Sequence, residues 1–206
     1  MTKKLFLIGL MCCAFAHSKL TLAGTVEGSV RDLDGRPVTG AMVYASNIGH
    51  RRGTTTISDS SGTFVLRNLK AGTYEVHAYK ESAGYADTFF AFFGVNNKAV
   101  KVVQVPEAGT SNIVLMIGPK CARLKLSINN EEGKPVDGEL TLTRVSATNA
   151  PYGIGVNSKS DTLLPPVLFR FEVRAKGYQL WRSGILRPRT GEALEVTVRL
   201  TRSRPN

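Results

Sequence analysis

Short stretches of alternating apolar and polar residues recur along this chain, separated by glycine, proline, asparagine and aspartate. Val26, Gly28 and Val30 alternate with polar neighbours, the period of a half-buried strand. Asp32-Leu33-Asp34-Gly35 then supplies turn chemistry: aspartate closes a local side-chain turn and glycine accepts positive φ. Pro37 fits the start of a following strand, where a missing N–H does little harm. Further strands are predicted at Thr54–Ile57, Thr63–Leu66, Thr73–Tyr79, Thr88–Val95, Val100–Val105 and Asn112–Ile117. Phe64 and Leu66 share one face, as do Tyr74, Val76 and Ala78. Asp59-Ser60-Ser61-Gly62 reads as a hairpin turn. No stretch shows the period of an amphipathic helix, so the pattern predicts an all-β sandwich.

The strand-turn-strand unit occurs twice. Gly35, Pro37, Val38 and Gly40 of the first copy match Gly133, Pro135, Val136 and Gly138 of the second at one constant shift. Downstream, Leu164 to Tyr178 corresponds to Leu69 to Val76, and Leu194, Val196, Val198 and Leu200 alternate in a last strand. The second copy shows no partner for the Asp59–Leu66 hairpin. Ser146 to Asp161 is polar and contains glycine, which predicts a loop. The expected organisation is two tandem Greek-key β-sandwich modules of about seven strands each, the second degenerate. Residues 24–118 form the first and 119–206 the second, with the boundary near Gly118-Pro119-Lys120.

Residues 1–23 read as an export signal. Lys3 and Lys4 precede an uncharged apolar run from Leu5 to Ala16, with small-residue cleavage patterns ending at Ala16 and Ala23. The run is shorter than the roughly 20 apolar residues of a spanning helix, so no transmembrane segment is expected after cleavage. Cys12 and Cys13 fall inside this signal, and Met11 stands where a lipidation site would carry a small residue. The mature chain keeps Cys121 alone, which leaves no internal disulfide and no cysteine metal site.

Charge separates the two copies. Basic and acidic residues nearly balance from Gly24 to Pro119, and the excess lies downstream at Arg123, Lys125, Arg144, Arg170, Arg174, Lys176, Arg182, Arg187, Arg189, Arg199, Arg202 and Arg204. A basic surface favours anionic partners. These charges are spread along strands, the pattern of solvated strand faces rather than of a specific nucleic-acid site.

Gly-Arg-Pro-Val-x-Gly-Ala-x-Val from Gly35, Ser-Asp-Ser-Ser-Gly-Thr-Phe from Ser58 and Asn-Leu-x-Ala-Gly-Thr-Tyr-x-Val from Asn68 together resemble the carboxypeptidase regulatory-like domain. The resemblance implies a transthyretin-like sandwich, similar to immunoglobulin-like sandwiches in architecture. It covers Gly24 to Ile117 well and Arg123 to Leu200 more weakly. Such modules recur as accessory parts of secreted and outer-membrane bacterial proteins, so it implies little about activity.

Catalytic groupings are absent from the sequence pattern. There is no Gly-x-Ser-x-Gly elbow. His50, beside Arg51 and Arg52, and His77 stand apart without a cysteine or carboxylate cluster, a poor metal site. Asp32-x-Asp34-Gly35 lacks the later ligands of a calcium loop. Hydroxyisourate hydrolases of the transthyretin-like group end in Tyr-Arg-Gly-Ser, whereas this chain ends Ser203-Arg204-Pro205-Asn206. Pilin-like sandwiches join a first-strand lysine to a last-strand asparagine or aspartate. Lys125 is suitably placed, but the last strand offers Glu195, Thr197 and Arg199, so no isopeptide bond is expected.

The candidate binding surface is aromatic. In a strand through Thr88 to Gly94, Phe89 and Phe93 point to one face and Phe90 and Phe92 to the other. Tyr85 upstream, Tyr178 and Trp181 in the second copy, and Arg52, Arg187 and Arg189 extend a surface suited to sugar stacking and to hydroxyl or carboxylate binding. The sequence therefore predicts an exported, non-catalytic binding or scaffold protein of the bacterial envelope or exterior, without a cofactor, contacting a protein or a surface glycan. The alternatives are a dedicated carbohydrate-binding protein and, behind it, a transthyretin-like hydrolase. Oligomeric state is left open.

Overall fold

A computed structural model describes residues 23–49, 53–87, 98–145 and 151–203. The first module contains β1 (Gly24–Arg31), β2 (Met42–Asn47), β3 (Gly53–Ile57), β4 (Thr63–Leu69), β5 (Gly72–Tyr79), β6 (Val100–Val105) and β7 (Gly109–Met116). The second contains β8 (Ala122–Asn130), β9 (Gly138–Arg144), β10 (Tyr152–Val156), β11 (Lys159–Leu164), β12 (Phe169–Arg174), β13 (Trp181–Arg182) and β14 (Ala193–Leu200). Sheet order is β4-β1-β7 and β3-β2-β5-β6 in the first, β11-β8-β14 and β10-β9-β12-β13 in the second. The two modules thus share one strand order. In each, the first and last strands lie side by side and parallel, β1 with β7 and β8 with β14.

The turn after the first strand is built alike in both copies. Asp32 Oδ1 accepts the N–H groups of Asp34 and Arg36 at 3.0 and 2.9 Å. Asn130 Oδ1 does the same for Glu132 and Lys134 at 3.0 and 2.8 Å. Gly35 and Gly133 close the two turns at φ 81° and 78°, a backbone that favours glycine. Pro37 and Pro135 only bridge back to Arg31 and Asn129. The regular strand after Pro37 begins at Met42, and it lies in the opposite sheet.

Two sequence expectations are corrected here. Asp59–Gly62 is a tight turn, with Gly62 N–H donating to the Asp59 carbonyl at 3.0 Å, but it does not close a hairpin. β3 pairs with β2, and β4 pairs with β1, so the turn carries the chain from one sheet to the other. The Asp59 carboxylate takes bonds from the Ser61 hydroxyl and from the N–H groups of Thr63 and Ser61. The hydroxyl bond first, then the amide bonds, hold its pKa below the usual value. The second correction concerns 146–161. Tyr152–Val156 and Lys159–Leu164 are strands, pairing with β9 and β8 as β3 and β4 pair with β2 and β1. The second module keeps this pair; its contraction is in β13, two residues where β6 has six.

Each module has its own core. Val26, Val30, Phe64, Leu66, Tyr74, Val76, Leu115 and Ile117 are buried in the first. Leu124, Leu126, Ile128, Leu140, Leu142, Phe169, Phe171 and Val198 are buried in the second. Burying a large apolar side chain of this kind contributes about 1.5–3 kcal/mol, so packing carries both folds. Ser58 is one of the polar residues buried with them, beside Asn47 and Asn130. Its hydroxyl accepts the Ala41 N–H at 2.9 Å and donates to the Val38 carbonyl at 2.6 Å, satisfying two main-chain groups where the chain changes sheets.

Candidate functional site

Of the predicted aromatic surface, the described residues Tyr85, Tyr178 and Trp181 fall against two different cores. Tyr85 is 7% exposed and belongs to the first core, so its ring is not a free stacking platform. Phe90, Phe92 and Phe93, with Phe89 and the predicted Thr88–Val95 strand, lie outside the described residues, as do His50, Arg51, Arg52 and residues 1–22. Tyr178 and Trp181 are half-buried against the second core, with the Trp181 ring centroid 5.3 Å from that of Phe171. Arg187 and Arg189 are exposed, and the Arg189 N–H donates to Glu192 Oε2 at 2.7 Å. Tyr178 and Trp181 thus share the second module, while Tyr85 sits inside the first.

His77 lies on β5, its Nε2 3.0 Å from Asp87 Oδ1 and its ring 5.2 Å from that of Tyr44. Among the described residues no group of three or more His, Cys, Asp or Glu is arranged to hold a metal ion. No helix of the described residues is long and apolar enough to cross a membrane. On the outer face of the second module Lys125 Nζ stands 3.3 Å from Glu195 Oε1, both side chains well exposed to water. Amide formation there would expel water from a hydrated ion pair with no burial to favour it. Intact mass is therefore expected to equal that of the uncrosslinked chain; a deficit of one water would contradict this.

The linker is tied to both modules. The Cys121 N–H donates to the Gly84 carbonyl at 2.8 Å, and an Arg123 guanidinium nitrogen donates to the Glu81 carbonyl at 3.3 Å. From the other side, the Gly191 N–H donates to the Cys121 carbonyl and the Arg123 N–H to the Glu192 carbonyl, at 3.1 and 2.7 Å. Lys120 Nζ lies 5.6 Å from the Tyr85 ring centroid. Burial pushes the Cys121 thiol up to about 12, against the lowering effect of the Ala86 backbone. The thiolate is the reactive form. Cys121 is thus expected to resist a thiol-reactive disulfide reagent at pH 8 in the folded protein and to react at once in denaturant. With the folded value raised, the contribution to stability is complete below about 9 and is lost as pH rises towards about 12.

A cleft of about 590 Å³ opens at the other end of the first module. Asn47 ends β2, Thr54 stands near the start of β3, and Asn68, Leu69 and Lys70 form the exit of β4, above Tyr74 of β5. Leu69 and Tyr74 are buried and make its floor. β4 carries a bulge here: Leu69 opposes Gly24, but Leu66 opposes Val26. Asn68 takes the left-handed conformation, φ 60°, within that bulge. A bulge re-aims the side chains around it, and Asn68 and Lys70 line the mouth of the cleft. Asn47 is 7% exposed, and its Oδ1 is fixed by the Gly49 N–H at 3.0 Å. In the sequence Asn68 and Leu69 stand out only as part of a fold motif, and nothing in it signals a bulge.

The strand order and the paired cores define a tandem of β-sandwiches. Residues 25–115, nearly the whole of the first module, match the carboxypeptidase regulatory-like domain. No curated protein matches the chain in sequence. Among solved structures it is similar to the TIE protein of Bacillus anthracis, at 17% identity and a TM-score of 0.38, covering 87% of this chain and 34% of that one. It is similar to a streptococcal ancillary pilin at 14% identity and a TM-score of 0.40, covering 90% of this chain and 64% of the other. It is also similar to the minor pilin of Streptococcus agalactiae, at 12% identity and a TM-score of 0.39, covering 89% and 98%. The chain thus spans about a third of the first of these proteins and just under two thirds of the second.

Proposed function

We propose that this is an exported, non-catalytic binding and scaffold protein of the cell envelope or exterior. The observation that carries the reading is the pinned junction. Two sandwiches, the first matching a carboxypeptidase regulatory-like domain, are joined by a short linker whose Cys121 backbone is bonded to Gly84 on one side and to Gly191 on the other. Such a joint presents two surfaces in a set relation, which suits holding a partner and adds nothing to bond-breaking chemistry. The basic second module favours an anionic partner, and the apolar run of Leu5 to Ala16 supports export. Fractionation of the native cell followed by chemical cross-linking and pull-down tests this. The protein is expected outside the cytoplasm, with an envelope protein or glycan recovered on it; a cytoplasmic location would reject the reading.

A further inference from the structure

We propose that the cleft at the free end of the first module binds an acidic saccharide, an inference that rests on the envelope reading and adds the site and the ligand class. Among the described residues four polar side chains line it: the amides of Asn47 and Asn68, the hydroxyl of Thr54 and the ammonium of Lys70. The Asn68 amide and the Thr54 hydroxyl both donate and accept, which matches sugar hydroxyls, groups that also do both. The apolar floor of Leu69 and Tyr74 matches the C–H face of a pyranose. Among the described residues the lining contains one cation and no carboxylate. A ligand carboxylate at Lys70 gains a charge-assisted hydrogen bond, the stronger kind, and meets no like charge among the described lining residues. The volume lies within the range of small-molecule sites.

Two further observations set this cleft apart from an ordinary gap between strand ends. The bulge in β4 holds Asn68 at positive φ, a conformation that is sparse for residues other than glycine and that recurs at ligand clamps. Gly72 is packed so closely that a Cβ there would stand 2.9 Å from Asn47 Nδ2, so the Asn47 amide is walled in position. The site also lies away from the second module. β1 starts at Gly24 beside Leu69 and ends at Arg31, whose carbonyl accepts the N–H of Ile117 just before the linker. At roughly 3.3 Å per residue this puts about 23 Å between cleft and joint, leaving the cleft mouth clear of the second sandwich.

The test is titration of the isotopically labelled protein with a trisaccharide of galacturonic acid, and separately with the same trisaccharide reduced at its carboxyl groups. The acidic sugar is expected to shift the backbone signals of Asn47, Thr54, Asn68 and Lys70, and to bind about tenfold more tightly than the reduced one. Lys70→Gln should remove that difference. Asn68→Gly keeps the left-handed backbone while deleting the amide, so it should weaken both sugars about fivefold and leave the melting temperature unchanged. No shift at millimolar sugar, shifts centred on Tyr178 and Trp181 instead, equal affinity for the two sugars, or indifference to both substitutions would each overturn the proposal. None of these outcomes touches cell fractionation, which judges the envelope reading separately.

Discussion

Replacing Phe171 with alanine is expected to unfold the second module at denaturant concentrations where the first still holds. Phe171 is fully buried on β12, opposite Leu142 of β9, and its ring meets that of Trp181 at 5.3 Å. Truncating a buried phenylalanine removes its transfer free energy and leaves a cavity, about 3–5 kcal/mol together. A small domain has only about 5–15 kcal/mol of stability to lose. Trp181 is the sole tryptophan of the chain, so its fluorescence reports the second module alone. The fluorescence midpoint should fall sharply, while the circular dichroism of the remaining strands persists to higher denaturant. A single shared transition for both signals would show that the pinned linker makes the two sandwiches one cooperative unit.

The complementary result is expected at Gly28. This residue sits in the middle of β1, between Phe64 of β4 and Ile113 of β7. A Cβ there would run into the Ile113 carbonyl oxygen and stand 2.9 Å from Phe64 Cζ. Overpacking a filled core costs about 1–3 kcal/mol or more, and here the obstacle is main chain in a paired strand, which has little room to yield. Gly28→Val should therefore lose the first module's transition by circular dichroism. Trp181 fluorescence should still show a folded second module at its original midpoint. The two substitutions act on separate cores, so their effects should add when combined.

The alternating strands were legible because their faces differ so much. Val26, Val30, Tyr74 and Val76 are buried and their neighbours are not, and period-two contrast is what the eye reads. The asparagine and aspartate turns were legible for the same reason, since one side-chain oxygen collects several amides. What the sequence concealed was pairing. Asp59–Gly62 looks the same whether it joins neighbours in one sheet or crosses between two, because a turn's local chemistry does not record its partners. Tyr152-Gly153-Ile154-Gly155-Val156 and Lys159 to Asp161 carry too little apolar contrast to read as strands, yet β9 and β8 offer them open ladders. In the second module tertiary pairing overrides weak local preference. The cleft was hidden for a related reason: its residues come from four strands, and the bulge that exposes Asn68 is a property of the β1–β4 register.

The parallel pairing of first and last strands sets how each sandwich bears a load. The chain enters the first module at one end of β1 and leaves from the opposite end of β7, its immediate neighbour; β8 and β14 repeat this in the second. A pull between the two ends of a module therefore runs along those strands and slides one past the other. Every bond of the ladder is strained at once, instead of opening in turn like a zip. Tension at the cleft would travel down β1, across to β7, through the linker and into β8, with each module resisting in its strongest direction.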